Sequence, residues 1–243
     1  MTALLEVEGL TKRFGGVTAV DACSFAVPAG SVTALVGPNG SGKTTAFNLI
    51  TGYTPADTGT IRFAGATVAR PDPVRLSRRG LTRTFQQARI FPDLTLVENM
   101  VAAVQQPWRA TFSPRVRRAE RDHALQLLDE FGIARLAAER AGNLSYGQKK
   151  LLEFAAVLMA EPRLVLLDEP TAGVNPVLVE RMEQHVRSRH AAGVTFLIVE
   201  HDLSFVMRLC DPIIVLDAGR PISEGDPSMV RADPRVLDAY LGG

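Results

Sequence analysis

Hydrophobic positions change their spacing several times along this chain. Leu4–Glu8 alternates apolar and polar residues as a half-buried strand does. Ser24–Val27, Val32–Val36 and Thr60–Phe63 read as further short strands, interrupted by one helix-forming stretch that begins near Thr45. From about Gln87 to Leu158 the spacing turns helical, with Leu125, Leu128 and Phe131 in one set and Leu152, Ala155 and Leu158 in another. Two unbroken apolar runs follow, Leu164–Leu167 and Thr195–Val199, as expected of parallel strands covered on both faces. A helix over roughly Val177–Ala191 lies between them, and a strand pair, Ile213–Leu216 with Pro221–Ser223, and a short helix finish the chain. Sheet-forming segments thus frame a helical one. The pattern predicts one α/β domain over residues 1–243, with a helical subdomain inserted at 87–160.

Composition narrows this picture only slightly. With 243 residues and 46% of them apolar, the chain can bury a large core. A net charge of +1 gives no reason to expect nucleic-acid binding. Cys23 and Cys210 are far apart, in apolar surroundings and without metal-ligand spacing, so they read as reduced core residues of a cytoplasmic protein. No signal peptide or transmembrane helix is evident: the longest uncharged stretch, Ala22 to Gly42, is broken by Pro28, Gly30, Gly37, Pro38 and Gly40. Any role at a membrane would therefore run through a separate membrane-embedded subunit. A basic run, Arg109 to Arg121, reads as a solvated helix face, with anionic lipid or a partner as the other possibilities.

The chemistry concentrates in three segments. Gly37-Pro38-Asn39-Gly40-Ser41-Gly42-Lys43-Thr44 fits the phosphate-loop pattern, between an apolar strand and a helix starting at Thr45. Its glycines let the backbone close on an anion, its amides and the helix start favour negative charge, Lys43 adds a cation and the Thr44 hydroxyl can ligate magnesium. Leu164-Val165-Leu166-Leu167 ends in Asp168 and Glu169. At the carboxyl edge of a parallel sheet Asp168 can hold magnesium and Glu169 can polarise the water that attacks a γ-phosphate. Asn143-Leu144-Ser145-Tyr146-Gly147-Gln148 precedes a helix with Ser145 as N-cap; alone it reads either as a capped helix or as a second anion site.

As a set, these segments resemble the ATP-binding subunits of ABC transporters. Leu144-Ser145-Tyr146-Gly147-Gln148 is similar to the family's signature motif, which other phosphate-loop ATPases lack. Phe14 resembles the aromatic that stacks on adenine, Gln86 the glutamine that reaches magnesium and the attacking water, Ala172-Gly173-Val174-Asn175 the loop at the dimer interface, and His201 the histidine that contacts the γ-phosphate. Tyr146, Asn175-Pro176, Arg83-Thr84-Phe85-Gln86 and the ending Ala239-Tyr240-Leu241-Gly242 are similar to the branched-chain amino-acid importer branch. Tyr146 stands where most of the family has Gly and Asn175 where it has Asp, and both occur in that branch.

The resemblance implies a phosphate-loop nucleotide-binding core with an N-terminal antiparallel β subdomain and the inserted helical subdomain. It implies ATP and Mg2+ as cofactors, with Phe14, residues Gly37 to Thr45 and Ser145 to Gln148 binding nucleotide, Thr44, Gln86 and Asp168 near the metal, and Glu169, Gln86 and His201 in catalysis. The implied partners are a second ATPase subunit, identical or a close paralogue, permease subunits in the membrane and, indirectly, a solute-binding protein. The chain would sit on the cytoplasmic face of the membrane, with Arg89, Phe91 and Leu94 beside the groove that receives the permease. A related exporter, a urea importer or a soluble non-transport ABC ATPase is the alternative.

Overall fold

The computed structural model describes residues 2–104 and 117–241. Among these described residues, ten strands form two sheets. The first is antiparallel, in the order β2-β1-β4-β5, from β1 (Ala3–Phe14), β2 (Val17–Pro28), β4 (Thr58–Phe63) and β5 (Ala66–Thr67). Both long strands exceed the lengths expected from alternation. Their register shifts between Val7 and Leu10, and again between Leu10 and Lys12, and each bulge breaks the period of two that marks a strand in sequence.

The second sheet runs β10-β9-β3-β8-β7-β6. Its members are β3 (Val32–Val36), β6 (Leu81–Arg83), β7 (Leu164–Asp168), β8 (Thr195–Val199), β9 (Ile213–Asp217) and β10 (Arg220–Gly225), and only β10 pairs antiparallel. Consecutive residues of these strands feed opposite cores. Leu35, Leu164, Leu166, Leu197, Val199, Ile214 and Leu216 point to one cluster, while Val36, Val165, Leu167, Phe196, Ile198 and Val215 point to the other. That division explains why the strands read as unbroken apolar runs.

Helix α1 (Lys43–Thr51) is held between the two sheets by Ala46, Phe47, Leu49 and Ile50. A short helix, α2 (Pro73–Arg78), leads to the edge strand β6. Between β6 and β7 lie α3 (Leu96–Ala103), α4 (Arg118–Glu130) and α5 (Tyr146–Leu158). They pack through Met100, Leu127, Leu128, Phe131, Leu151 and Ala155, and Phe154 joins them to the sheet by meeting Phe131 and Phe196 edge-on at 5.3 and 6.4 Å. Residues 109–116 of the basic run lie outside the described residues; Arg118 is exposed at the start of α4, 3.8 Å from Asp122. The chain ends with α6 (Pro176–Ala191), α7 (Leu203–Leu209), α8 (Pro227–Ala232) and α9 (Pro234–Leu241). Both cysteines are buried and unpaired, and burial pushes each thiol up to about 12. No helix among the described residues is long and apolar enough to cross a membrane.

Candidate active site

Four strands deliver the candidate residues to one sheet edge. The phosphate loop follows β3, the Gln86 segment follows β6, Asp168 ends β7 with Glu169 after it, and His201 lies beyond β8. The register pairs Asp168 with Val199, so the ends of β7 and β8 are level.

The phosphate loop is held from behind by the turn between β9 and β10 and by β2. A Cβ at Gly37 would overlap the Leu216 carbonyl, and one at Gly42 would overlap the Ala19 carbonyl. Gly42 also has φ 98°, which side chains disfavour. Gly219 N donates to Ser41 O at 3.0 Å, which ties the loop to that turn. Asn39 and Gly40 are exposed at its rim, Pro38 is half-buried, and Thr44 and Thr45 stand in the first turn of α1 with Thr44 exposed. The Lys43 ammonium donates to the Gly37 and Pro38 carbonyls at 2.8 Å and to Ser41 Oγ at 3.3 Å. Burial lowers its pKa, opposed by the Glu169 charge, which puts these two side chains within electrostatic reach. A cradle with no room for side chains behind it, at a helix N-terminus with a buried ammonium, fits a polyphosphate.

Gln86 and Glu169 meet directly: Nε2 of the amide donates to Glu169 Oε2 at 2.8 Å. Glu169 has φ 45°, an uncommon conformation that turns the chain sharply at the end of β7, and its amide donates to Val199 O at 2.9 Å. Gln86 keeps its amide oxygen for a cation. With the Thr44 hydroxyl and the Asp168 carboxylate, the donors here are all oxygen, as magnesium prefers.

Asp168 itself is 3% exposed and is gripped by Arg83, whose Nη2 lies 2.6 Å from its Oδ2, leaving Oδ1 for a cation or its water shell. Arg83 further donates to Asn48 Oδ1 at 2.7 Å and Thr51 Oγ1 at 3.0 Å, and its guanidinium lies 5.0 Å from the Phe85 ring. Glu200 is wholly buried. It accepts the Thr171 amide and hydroxyl at 2.8 and 2.6 Å and the His201 amide at 3.0 Å, so it joins the segment after Glu169 to the His201 loop. The His201 side chain is 61% exposed.

Ser145 caps α5 as its sequence suggests. Its Oγ accepts the Gln148 amide at 3.3 Å, and Gln148 Oε1 accepts the Ser145 amide at 2.9 Å, so the Gln148 side chain closes the cap. Ser145 and Tyr146 are exposed. Among the described residues no hydrogen bond or ion pair joins this tip to the chain's own phosphate loop. The tip sits against the start of α6, where a Cβ on Gly147 would overlap Leu178, and against Gly173, which lies under the Tyr146 ring. Phe14, at the end of β1, is half exposed with the Lys12 ammonium 5.5 Å from its ring.

Sequence reasoning missed Arg83, Lys150, Glu153 and Glu200 as site residues. Lys150 and Glu153 gave a signal, being charged residues in an otherwise apolar helix; both are buried in α5. Burial lowers the Lys150 pKa, and burial pushes the Glu153 carboxyl up to about 7.

Residues 20–172 match the family model described as ABC transporter, and residues 220–243 match one described as branched-chain amino acid ATP-binding cassette transporter. The chain is 39% identical to the high-affinity branched-chain amino acid transport ATP-binding protein BraF of Pseudomonas aeruginosa, over 98% of both chains. It is 35% identical to the corresponding protein LivG of Escherichia coli, again over 98% of each. Among solved structures, a nucleotide-free ATP-binding cassette of an ABC transporter superposes with a TM-score of 0.88, and one in an ADP conformation with 0.89. Both are 34% identical and cover 100% of each chain. The chain therefore belongs to the ABC transporter family and is one of its ATP-binding, ATP-hydrolysing cassettes.

Proposed function

We propose that this chain is the ATPase subunit that powers an importer of branched-chain or closely related amino acids. The match of residues 220–243 to the branched-chain module carries the substrate class, because the general cassette match ends at residue 172. Near-complete coverage of BraF and LivG supports the same reading.

The amides of the phosphate loop and Lys43 hold the outer phosphates, and Phe14 supports the adenine. Magnesium, when bound by Thr44, Gln86 and Asp168, supplies charge neutralisation at the phosphates. Gln86 fixes Glu169 through Oε2, leaving Oε1 to accept a proton from water as its oxygen attacks the γ-phosphorus and the bond to the ADP oxygen breaks. His201 steadies the transferred phosphoryl group. The exposed tip formed by Ser145, Tyr146 and Gly147 completes the site of a second cassette, a copy of this chain or a close paralogue.

Permease subunits connect the cassette to the cytoplasmic face of the membrane and, indirectly, to a solute-binding protein. Their docking place is the groove beside Gln86 and the helical insertion, with Arg89, Phe91 and Leu94 on its rim: Phe91 is exposed, Leu94 is half-buried, and Arg89 stacks 3.7 Å from the Phe85 ring centre and 5.4 Å from the Tyr53 ring, which lines a neighbouring cavity of about 170 Å³.

The test is purification of the native complex and measurement of its ATPase activity. Co-purification with permease subunits, and stimulation by a solute-binding protein loaded with leucine, are the expected results. Stimulation by another solute class alone would overturn the substrate assignment. Glu169→Gln should keep ATP binding and lower turnover about 10²-fold or more. Near wild-type turnover would refute its role as general base.

A further inference from the structure

Three side chains along one stripe of α5 reach the backbone of the segment that carries Gln86. Tyr146, Lys150 and Glu153 are spaced by four and three residues, so they stand above one another on the helix. The Tyr146 hydroxyl is 3.5 Å from the Gln86 carbonyl. Lys150 Nζ donates to the Phe85 carbonyl and to the Glu169 carbonyl, each at 3.3 Å. Glu153 Oε1 accepts two amides, those of Phe85 and Arg89, both at 3.1 Å.

Stability does not account for this pair. Lys150 is 3% exposed and Glu153 5%, and a charge so buried is costly unless fully satisfied. Glu153 Oε2 has no partner among the described residues. Apolar side chains, as at Leu151, Leu152 and Phe154 beside them, would avoid that burial cost but would leave the Phe85 and Arg89 amides without this acceptor. What the two polar side chains achieve is placement. They grip the segment on both sides of Gln86, and Lys150 also holds the backbone of Glu169.

We propose that Lys150 and Glu153 are positioning residues that lock the Gln86 segment and the Glu169 backbone to the helix tipped by Ser145, so that tip, glutamine and glutamate hold one geometry. The inference rests on the reading that Gln86 and Glu169 serve hydrolysis while the Ser145 tip serves the neighbouring cassette. It follows that engagement of the tip at one nucleotide site sets Gln86 at the other. The two sites then hydrolyse cooperatively through α5.

The test uses the full-length chain with ATP, measuring direct ATP binding and steady-state turnover. Glu153→Ala should lower kcat about 10-fold or more while the ATP Kd stays within about twofold, and should bring the Hill coefficient to about 1. Glu153→Gln retains the Oε1 acceptor and should restore kcat to within about threefold of wild type. Lys150→Met keeps the aliphatic stem and should show the same separation of kcat from Kd, which keeps the inference testable if Glu153→Ala does not fold. Wild-type kcat and cooperativity in Lys150→Met or a folded Glu153→Ala, alongside an inactive Glu169→Gln, would overturn the clamp and leave the catalytic reading standing. Equal losses of ATP affinity and kcat would also overturn it, as the mark of a general structural defect. An active Glu169→Gln would remove the catalytic reading itself, and the clamp with it.

Discussion

The two tips proposed to bind nucleotide, the phosphate loop before α1 and the Ser145 turn before α5, are built by opposite means. The first is made of backbone pressed against backbone. Gly37 and Gly42 lie against the Leu216 and Ala19 carbonyls, and Gly219 hydrogen-bonds to the loop from behind. The second stands at the surface, closed by the side chains of Ser145 and Gln148 and tethered through Tyr146, Lys150 and Glu153. The phosphate loop has no room for added atoms against the backbone behind it, whereas the Ser145 tip stands clear at the surface on a helix whose later turns are mostly buried. The difference suits a site whose cradle stays fixed in one cassette while its lid arrives on another.

The largest expected effect comes from forcing a side chain into the fixed tip. Gly42→Ala puts a methyl group onto the Ala19 carbonyl at a φ of 98°. The cost should exceed about 3 kcal/mol, because a disfavoured backbone and a clash with main chain add together. Thermal unfolding and ATP titration should both collapse. A variant that melts and binds ATP like the wild type would break the claim that this tip is rigid.

The next effect falls where the two regions join. Arg83 and Asp168 form a pair that is 5% and 3% exposed, and Asp168 lies between the phosphate loop and the segment leading to Gln86. Arg83→Met leaves the Asp168 carboxylate buried without its partner, which should cost about 3 kcal/mol in urea unfolding at an unchanged slope. Replacing both, as Arg83→Met with Asp168→Leu, should recover much of that stability yet leave ATP hydrolysis lost. Recovery of hydrolysis in the double variant would mean the pair serves the fold alone.

How much of this could be read from residues depends on which means built each part. The phosphate loop, the Asp168-Glu169 pair and the Ser145 cap are local, so spacing alone displayed them, and unbroken runs such as Leu164–Leu167 announced the parallel sheet. Arg83 was visible only as a letter in a family phrase. Its partners Asn48, Thr51 and Asp168 are 35, 32 and 85 positions away, and no local pattern links them. Strand β6 has three residues, too few to show a period. The far ends of β1 and β2 were lost for the opposite reason, since bulges at Leu10 break an alternation that the strands otherwise keep. Lys150 and Glu153 left only the weak signal of charges in an otherwise apolar helix, and what they hold became clear only when the fold brought Phe85 and Arg89 beside them.

The smallest effect on stability should come from the exposed tip, and it sharpens the comparison most. Ser145→Ala removes the acceptor for the Gln148 amide and should cost about 1 kcal/mol in urea unfolding. Ser145→Thr keeps an oxygen there and should cost less. Because no hydrogen bond or ion pair among the described residues joins the tip to the chain's own phosphate loop, ATP affinity of the isolated chain should be unchanged in both variants. Turnover should nevertheless fall in Ser145→Ala by more than the stability loss explains, since the missing hydroxyl would have faced a nucleotide on the neighbouring cassette. If affinity in the isolated chain falls together with turnover, the tip acts within its own subunit, and the division between a fixed cradle and a lid supplied by a neighbour does not hold.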